Sequence, residues 1–326
     1  MSAITLVEAV NQALAFELDA DPSVLVLGED VGANGGVFRA TSGLLQRYGK
    51  ARVVDTPLAE CLIAGMSVGL AAQGMKPVAE FQFMGFMYSA IDQVVNHASR
   101  LRYRTRGRLS CPLVLRAPFG AGIHAPEHHS ESAEALFAHI PGLRVVVPSS
   151  PARAYGLLLA AIRDPDPVIF LEPTRLYRLG KEEVPNNGKA LALDSCFVLR
   201  DGSDVTLVTW GAAVRETLAT AERLSTEGVQ AEVIDVATLA PLDMETILDS
   251  VEKTGRCVIV HEAAKNCGVG AEIAARLADD GLLRLLAPVR RVTGYDTILP
   301  PARLESLFLP QPERICAAVH ELLEAA

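Results

Sequence analysis

The strongest constraint in this chain is a repeated alternation of short apolar runs with segments of helical period. "SVLVLG", "ARVVDTP", "KPVAEF", "CPLVLRAPF", "LRVVVPS" and "PVIFLEP" are rich in Val, Ile and Leu and nearly free of charge. Between them lie helix-like stretches: about residues 5 to 19, "TSGLLQRYG", the apolar run after "DTP", about Tyr88 to Arg104, "AEALFAH", and Ala152 to Arg163. Apolar strands that do not alternate with polar residues belong to a parallel sheet covered on both faces. The first helix carries its own start signal, because Thr5 and Glu8 have the spacing of a capping box.

The rhythm breaks at about residues 173 to 203, a polar stretch with Asn186-Asn187-Gly188 as turn chemistry. A second alternation follows, with strands "DVTLVTWG", "VQAEVIDV" and "RCVIVHEA" and helices "AAVRETLATAERLSTEG", "DMETILDSVEKTG", "GAEIAARLADDG" and "PERICAAVHELLEAA". The expected architecture is α/β with two domains, each a mostly parallel sheet covered by helices. The expected bounds are residues 1–175, a connection over 176–203, and residues 204–326.

Half of the 326 residues are hydrophobic but only 5% are aromatic, so Ala, Val, Leu and Ile carry the excess. That surplus suits a layered protein that also buries surface against partner subunits. A net charge of −9 with no basic stripe argues against nucleic acid as a partner. The six Cys form no CxxC pair and read as reduced thiols. "MSAITLVEAVNQAL" has no basic leader, so a cytoplasmic protein is expected. The fourteen uncharged residues from Cys61 to Gly74 fall short of the ~20 that span a membrane, so a buried helix is expected and no membrane partner. Gly65 and Gly69 share one of its faces, which points to a subunit contact.

That helix opens on a lone carboxylate, Glu60. The plain explanation is a charge favoured by the helix dipole, by ~0.3 to 1 kcal/mol. Asp55 and Thr56, however, already offer capping groups ahead of Pro57. Apolar surroundings also raise a carboxyl pKa and favour the proton-donating form, which makes Glu60 a candidate catalytic acid. A second concentration of chemistry is "GAGIHAPEHHSES", with His124, His128 and His129. His124 and His128 are spaced i,i+4, but the intervening Pro126 argues against a helical metal pair. A loop after a parallel strand is where α/β proteins put sites, so an imidazole there is a candidate acid–base or acyl-binding group. Among Phe81, Phe83, Phe86 and Tyr88, Phe81 or Phe83 is expected in the core and one ring is expected to face a flat ligand. "GEDVGANGG" lacks GK[ST], which excludes a P-loop.

Taken together, "GEDVGANGGVFRAT", "DTPLAE", "GLAAQGMKPVAEFQF", "RLRYRTRG", "HHSES", "PGLRVVVPSSP", "IRDPDPVIFLEP", "EVIDVATLAPLD" and "VEKTGRCVIVHEA" resemble the β subunit of the E1 component of 2-oxo acid dehydrogenase complexes, over about residues 4 to 322. The resemblance implies a pyrimidine-binding domain followed by a transketolase C-terminal-like domain, thiamine diphosphate as cofactor, and an α2β2 heterotetramer. It implies that Glu60 hydrogen-bonds the aminopyrimidine N1′, with Leu58, Gln82 and Phe86 lining the pocket. It puts His129 in acyl transfer to the lipoyl arm of the E2 acyltransferase. It also implies a monovalent-cation site, for K+, at the backbone near Cys111, Leu113, Ala161, Asp164 and Asp166. The chain has no GDG motif, so Mg2+ and the diphosphate are expected on the α subunit. Cys61 departs from the Ser, Met or Ala frequent in relatives.

"FMGFMY" and "GIHAPEHHSES" look most like bacterial pyruvate-type subunits, with branched-chain and acetoin types as the alternatives. Two readings from other classes stay open at this point. One is a metal-dependent hydrolase built on His124, His128 and His129. The other is a non-catalytic assembly subunit in which Glu60 is only a helix-end charge.

Overall fold

The computed structural model describes residues 3–325. The first half contains β1 (Ala3–Ile4), α1 (Leu6–Ala20), β2 (Val24–Gly28), α2 (Leu44–Tyr48), β3 (Val53–Asp55), α3 (Glu60–Ala72), β4 (Lys76–Glu80), α4 (Leu101–Arg104), β5 (Val114–Phe119), α5 (Glu134–Ala138), β6 (Arg144–Val146), α6 (Pro151–Arg163) and β7 (Val168–Pro173). In the polar stretch that follows lie β8 (Glu182–Glu183) and β9 (Phe197–Arg200). The second half holds β10 (Val205–Thr209), α7 (Ala213–Thr226), β11 (Ala231–Asp235), β12 (Thr238–Ala240), α8 (Met244–Thr254), β13 (Cys257–His261), α9 (Val269–Asp280), β14 (Arg290–Thr293), α10 (Ala302–Phe308) and α11 (Pro312–Glu324).

The apolar runs assemble into a seven-stranded sheet of order β12-β6-β7-β5-β4-β2-β3, parallel throughout except where β12 joins β6. A second sheet of order β14-β13-β10-β11-β9 is parallel except for β9. The fully buried β5 and β7 show why their sequences carry no polar alternation. β3 and β4 flank β2 on opposite sides, so the direction of strand addition reverses there. A crevice outside the carboxyl ends of the strands at such a reversal is where open α/β sheets bind ligands.

The two halves are not independent beads. β12 follows β11 in the second half yet pairs with β6 at the edge of the first sheet. One apolar core runs from Leu27, Ile63 and Leu115 through Trp210 to Ile234 and Ile259. A second core, on the other face of the first sheet, packs α1 against α6. A shared core of that kind resists hinge motion between the halves. α1 begins as its spacing predicts: the Thr5 side chain accepts from the Glu8 amide and the Thr5 amide donates to the Glu8 carboxylate at 2.7 Å.

The stretch from about Tyr88 to Arg104 is not the single helix expected. It is a 3-10 turn over Met84–Ala90, a wide π turn over Gln93–Ala98 and then α4. The buried residues explain the change of pitch. Met84, Met87 and Ala90 recur every three residues, and Ala90, Val94 and Ala98 every four. Tightening and then loosening the coil keeps one stripe against the core. Phe81 and Phe83 are both buried. Among the described residues no helix is long and apolar enough to cross a membrane.

Candidate active site

Three loops meet outside the carboxyl ends of β3, β4 and β5. The first delivers Glu60 as the opening residue of α3. The second runs from Gln82 to Ser89 after β4. The third, Gly120 to Ser132 after β5, carries the histidines. Ser89 ties the first two together: its Oγ lies 3.4 Å from Glu60 Oε2 and 2.9 Å from the Phe86 carbonyl. The Phe86 ring stands edge-on to the His129 ring at 5.3 Å, and Phe83 meets the same imidazole at 4.6 Å. Gly85 allows that approach, because a Cβ there would lie 2.3 Å from the His128 carbonyl oxygen. Glu60, Phe86 and His129 are thus brought into one chain of contacts, and half-buried Gln82 opens the second loop just after β4.

His129 Nδ1 lies 2.9 Å from the Glu127 carbonyl oxygen. A carbonyl only accepts, so Nδ1 carries the proton and Nε2 is left to exchange one. The loop holds His124, Glu127 and His128 at positive φ, a strained backbone of the kind that gathers at functional sites. His124 turns away to Glu305 Oε2 at 3.2 Å. Among the described residues no group of three or more His, Cys, Asp or Glu is arranged to hold a metal ion, so the hydrolase reading has no metal cluster behind it.

Two expectations about Glu60 need correction. Asp55 does not cap α3. Its carboxylate accepts from the Gly32 and Ala33 amides at 2.5 and 3.0 Å and so pins the Gly-rich loop after β2, while the N-cap residue of α3 is Ala59, without a side-chain cap bond. Both carboxylate oxygens of Asp55 are taken up by those loop amides. Nor is Glu60 enclosed by its own helix. α3 buries Ile63, Ala64, Ser67 and Ala71, whereas Leu58 is 73% and Leu62 47% exposed, and Glu60 itself is half-buried. The apolar residues form an open rim around the carboxyl rather than a closed wall. The space beside Gly69 is open as well. Nearby Glu29 has its carboxyl pushed up by burial, then by the charges of Asp30 and Glu60.

The residues at the implied cation site do gather at one end of the sheet. The Cys111 amide donates to the Pro165 carbonyl at 3.0 Å, and the Leu113 carbonyl accepts from Val168 at 2.8 Å. Ala161 is buried in the last turns of α6, just before Asp164. The side chains there are engaged: Asp164 pairs with Arg144 at 2.9 Å and Asp166 with Arg102 at 2.6 Å. Burial pushes the Cys111 thiol up to about 12, which leaves it protonated. Any ion there would rest on main-chain carbonyls.

Sequence reading missed two buried polar networks. Under the aromatic cluster, Arg116 of β5 donates twice to Glu172 of β7, at 2.7 Å each, and once to Glu80 of β4. Tyr177 donates to the same Glu172 at 2.6 Å, and its ring contacts Phe38, which contacts Phe83. The signal was present: one charge each in "PVAEF", "LVLRAPF" and "VIFLEP", in strands otherwise apolar. Charges in parallel strands must pair with one another.

The second network joins the halves. Trp210 Nε1–H donates to Glu134 Oε1 at 3.1 Å, and the Trp210 ring stacks on His261 at 4.8 Å. Burial pushes Glu134 up to about 7, and His261 down to about 3. The folded chain therefore holds a proton on Glu134 that the unfolded chain releases. That contribution is fully present below pH 4.5 and is lost as the pH rises toward 7. His261 acts in the opposite sense, with a contribution present above pH 6.5 and lost as the pH falls to 3. Glu134→Gln removes the first dependence alone. Its stability relative to the parent rises by about 3 kcal/mol between pH 4.5 and 7, as read by urea denaturation at each pH.

With this geometry in view, the relatives are informative. Residues 2–180 match the transketolase pyrimidine-binding domain family and residues 195–315 the transketolase C-terminal domain family. The chain is 49% identical over 325 residues to the pyruvate dehydrogenase E1 component subunit beta of Acholeplasma laidlawii, covering 100% of this chain and 99% of that one. It is 47% identical over 324 residues to the same subunit of Bacillus subtilis, covering 99% and 100%. Its fold is similar to that of a split-gene transketolase described as an inactive β4 tetramer, with a TM-score of 0.81, 24% identity and 99% of each chain covered. Two transketolase-type domains in this order, matched end to end by relatives nearly half identical, mean that the chain belongs to the family of E1 component β subunits of 2-oxo acid dehydrogenase complexes.

Proposed function

We propose that the chain is the catalytic β subunit of a pyruvate-type E1 enzyme, which together with an α subunit decarboxylates pyruvate and acetylates the lipoyl group of E2. The observation that carries this is Glu60 joined through Ser89 to Phe86 and His129, on a chain whose full-length relatives are named as pyruvate dehydrogenase E1 β subunits. In the overall reaction the substrate carboxylate leaves as CO2, and the electron pair it leaves behind reduces the lipoyl disulfide. The acetyl group ends on one sulfur and the other takes up a proton.

Thiamine diphosphate, when bound, supplies the electron sink for decarboxylation. The residues present suit its aminopyrimidine: a carboxyl, the flat Phe86 ring, Gln82 and the apolar Leu58 and Leu62 rim. Glu60 would hold the pyrimidine through a hydrogen bond from its carboxyl to N1′. His129, fixed through Nδ1, moves a proton at Nε2 and so serves the lipoyl sulfur that leaves as a thiolate. The α subunit covers the Leu58 and Leu62 rim and the open side of α3 at Gly69, removes water from Glu60, and holds Mg2+ and the diphosphate. A K+ ion would be held by carbonyls around Cys111, Leu113 and Ala161, where the Asp164 and Asp166 side chains are already paired.

Co-expression with an α subunit that carries a GDG motif tests the proposal. With thiamine diphosphate and Mg2+, the pair decarboxylates pyruvate at least tenfold more efficiently than 3-methyl-2-oxobutanoate, and the isolated chain is inert toward both. A preference for the branched substrate would reassign the enzyme to the branched-chain type, and failure with both would sink the proposal.

A further inference from the structure

The second half of the chain grips the loop that carries His129. Glu262, directly after β13, is buried between the halves. Its Oε1 accepts from the Ala121 amide at 3.1 Å and from the Ser132 hydroxyl at 3.3 Å. Those two residues are the feet of the histidine loop, whose base is closed by the Gly120 amide donating to the Glu131 carbonyl at 2.8 Å. The fit is close. Gly120 has φ +79°, and a Cβ there would lie 1.9 Å from Glu262 Oε1. The other oxygen, Oε2, faces Arg175 at 3.5 Å, and Arg175 also pairs with Glu216 of α7. A carboxylate balanced by a guanidinium can stay buried and still accept from both feet. Ala121 additionally packs against Phe308 and Leu309. Within the loop Ser130 bonds Ala125 and His129 bonds Glu127, and His124 reaches a further carboxylate of the second half, Glu305, at 3.2 Å.

We infer that Glu262 is a positioning residue for His129: a single buried carboxylate of the C-terminal domain ties both feet of the loop and thereby fixes where the imidazole points. The inference rests on the acyl-transfer role proposed for His129. Untying the feet frees the loop without touching Glu60, so acyl transfer and decarboxylation should separate.

The test uses the assembled α-plus-β enzyme and three variants. Glu262→Gln keeps the size but loses the charge that draws both donors. Ser132→Ala removes one foot and leaves the carboxylate paired with Arg175, which keeps the test alive where Glu262→Gln fails to assemble. Hydrogen exchange of residues 120–132 should quicken about tenfold in Glu262→Gln and less in Ser132→Ala. Acetylation of free lipoamide should fall about tenfold, while pyruvate decarboxylation read with ferricyanide stays within twofold. Unchanged exchange in both variants, or equal loss of both activities, would overturn the inference. His129→Ala separates the two claims. If it leaves lipoamide acetylation intact, the role of His129 falls, and the grip of Glu262 on the loop is judged by exchange alone.

Discussion

Glu60→Gln in the assembled α-plus-β enzyme lowers kcat for pyruvate decarboxylation by about 10² to 10⁴-fold, the range a positioned acid–base group contributes. The amide has nearly the same size, so packing around α3 is kept. Glu60 is half-buried, and among the described residues its one side-chain hydrogen bond is the 3.4 Å approach of Ser89 Oγ, so stability should shift by no more than about 0.5 kcal/mol. Size-exclusion chromatography should show an unaltered assembly. A Gln can donate a hydrogen bond from its amide, but it cannot hold a proton on a carboxyl oxygen, and that difference is what the large effect reports. If Glu60 were only a helix-end charge, the variant would keep full activity.

Arg116→Met destabilises the chain by about 3 to 5 kcal/mol, measured by urea denaturation, because it strips the shared cation from two buried carboxylates. Arg116 is 1% exposed and bridges Glu172 and Glu80 across adjacent strands. Met fills the volume but leaves Glu172 with Tyr177 as its hydrogen-bond donor and Glu80 with no donor. Burial already pushes the Glu80 carboxyl up, ahead of the opposing pull of Arg116, so Glu80 will take a proton and soften the loss. Against a typical total of about 5 to 15 kcal/mol, the variant sits near the edge of folding. Arg116→Lys should not rescue it, since an ammonium cannot reproduce the paired 2.7 Å bonds to Glu172. A loss under 1 kcal/mol would show that the network is not structural.

Where the physics was local, the sequence was a good guide. The capping box of Thr5 and Glu8 and the apolar strands of the first sheet depend on neighbours within a few residues or on simple burial. Hydropathy reported correctly that α3 is apolar, but it cannot say what covers a surface. Leu62 falls in the run expected to be buried, yet with Leu58 it lies on an open rim in the folded chain. β12 was invisible because it is three residues long and its partner, β6, is some ninety residues earlier in the chain. β9, β14 and α10 were missed for similar reasons of length and polarity. Glu262 carries no local signal at all, since its meaning comes from Ala121 and Ser132, which only folding brings near. Asp55 misled because a carboxylate ahead of a helix usually caps it, and here it serves the loop after β2 instead.

We propose that Glu60 and a bound aminopyrimidine share a hydrogen bond inside a cleft completed by a second subunit. A cryo-electron microscopy or crystal structure of the assembled enzyme with thiamine diphosphate measures this directly. The account predicts a Glu60 carboxyl oxygen within about 2.5 to 3.0 Å of the pyrimidine N1′, the hydrogen-bond range for such a pair, with Leu58 and Leu62 covered by the α subunit. A cofactor whose pyrimidine lies out of hydrogen-bonding reach of Glu60, or an assembly that leaves this rim open to water, would contradict it.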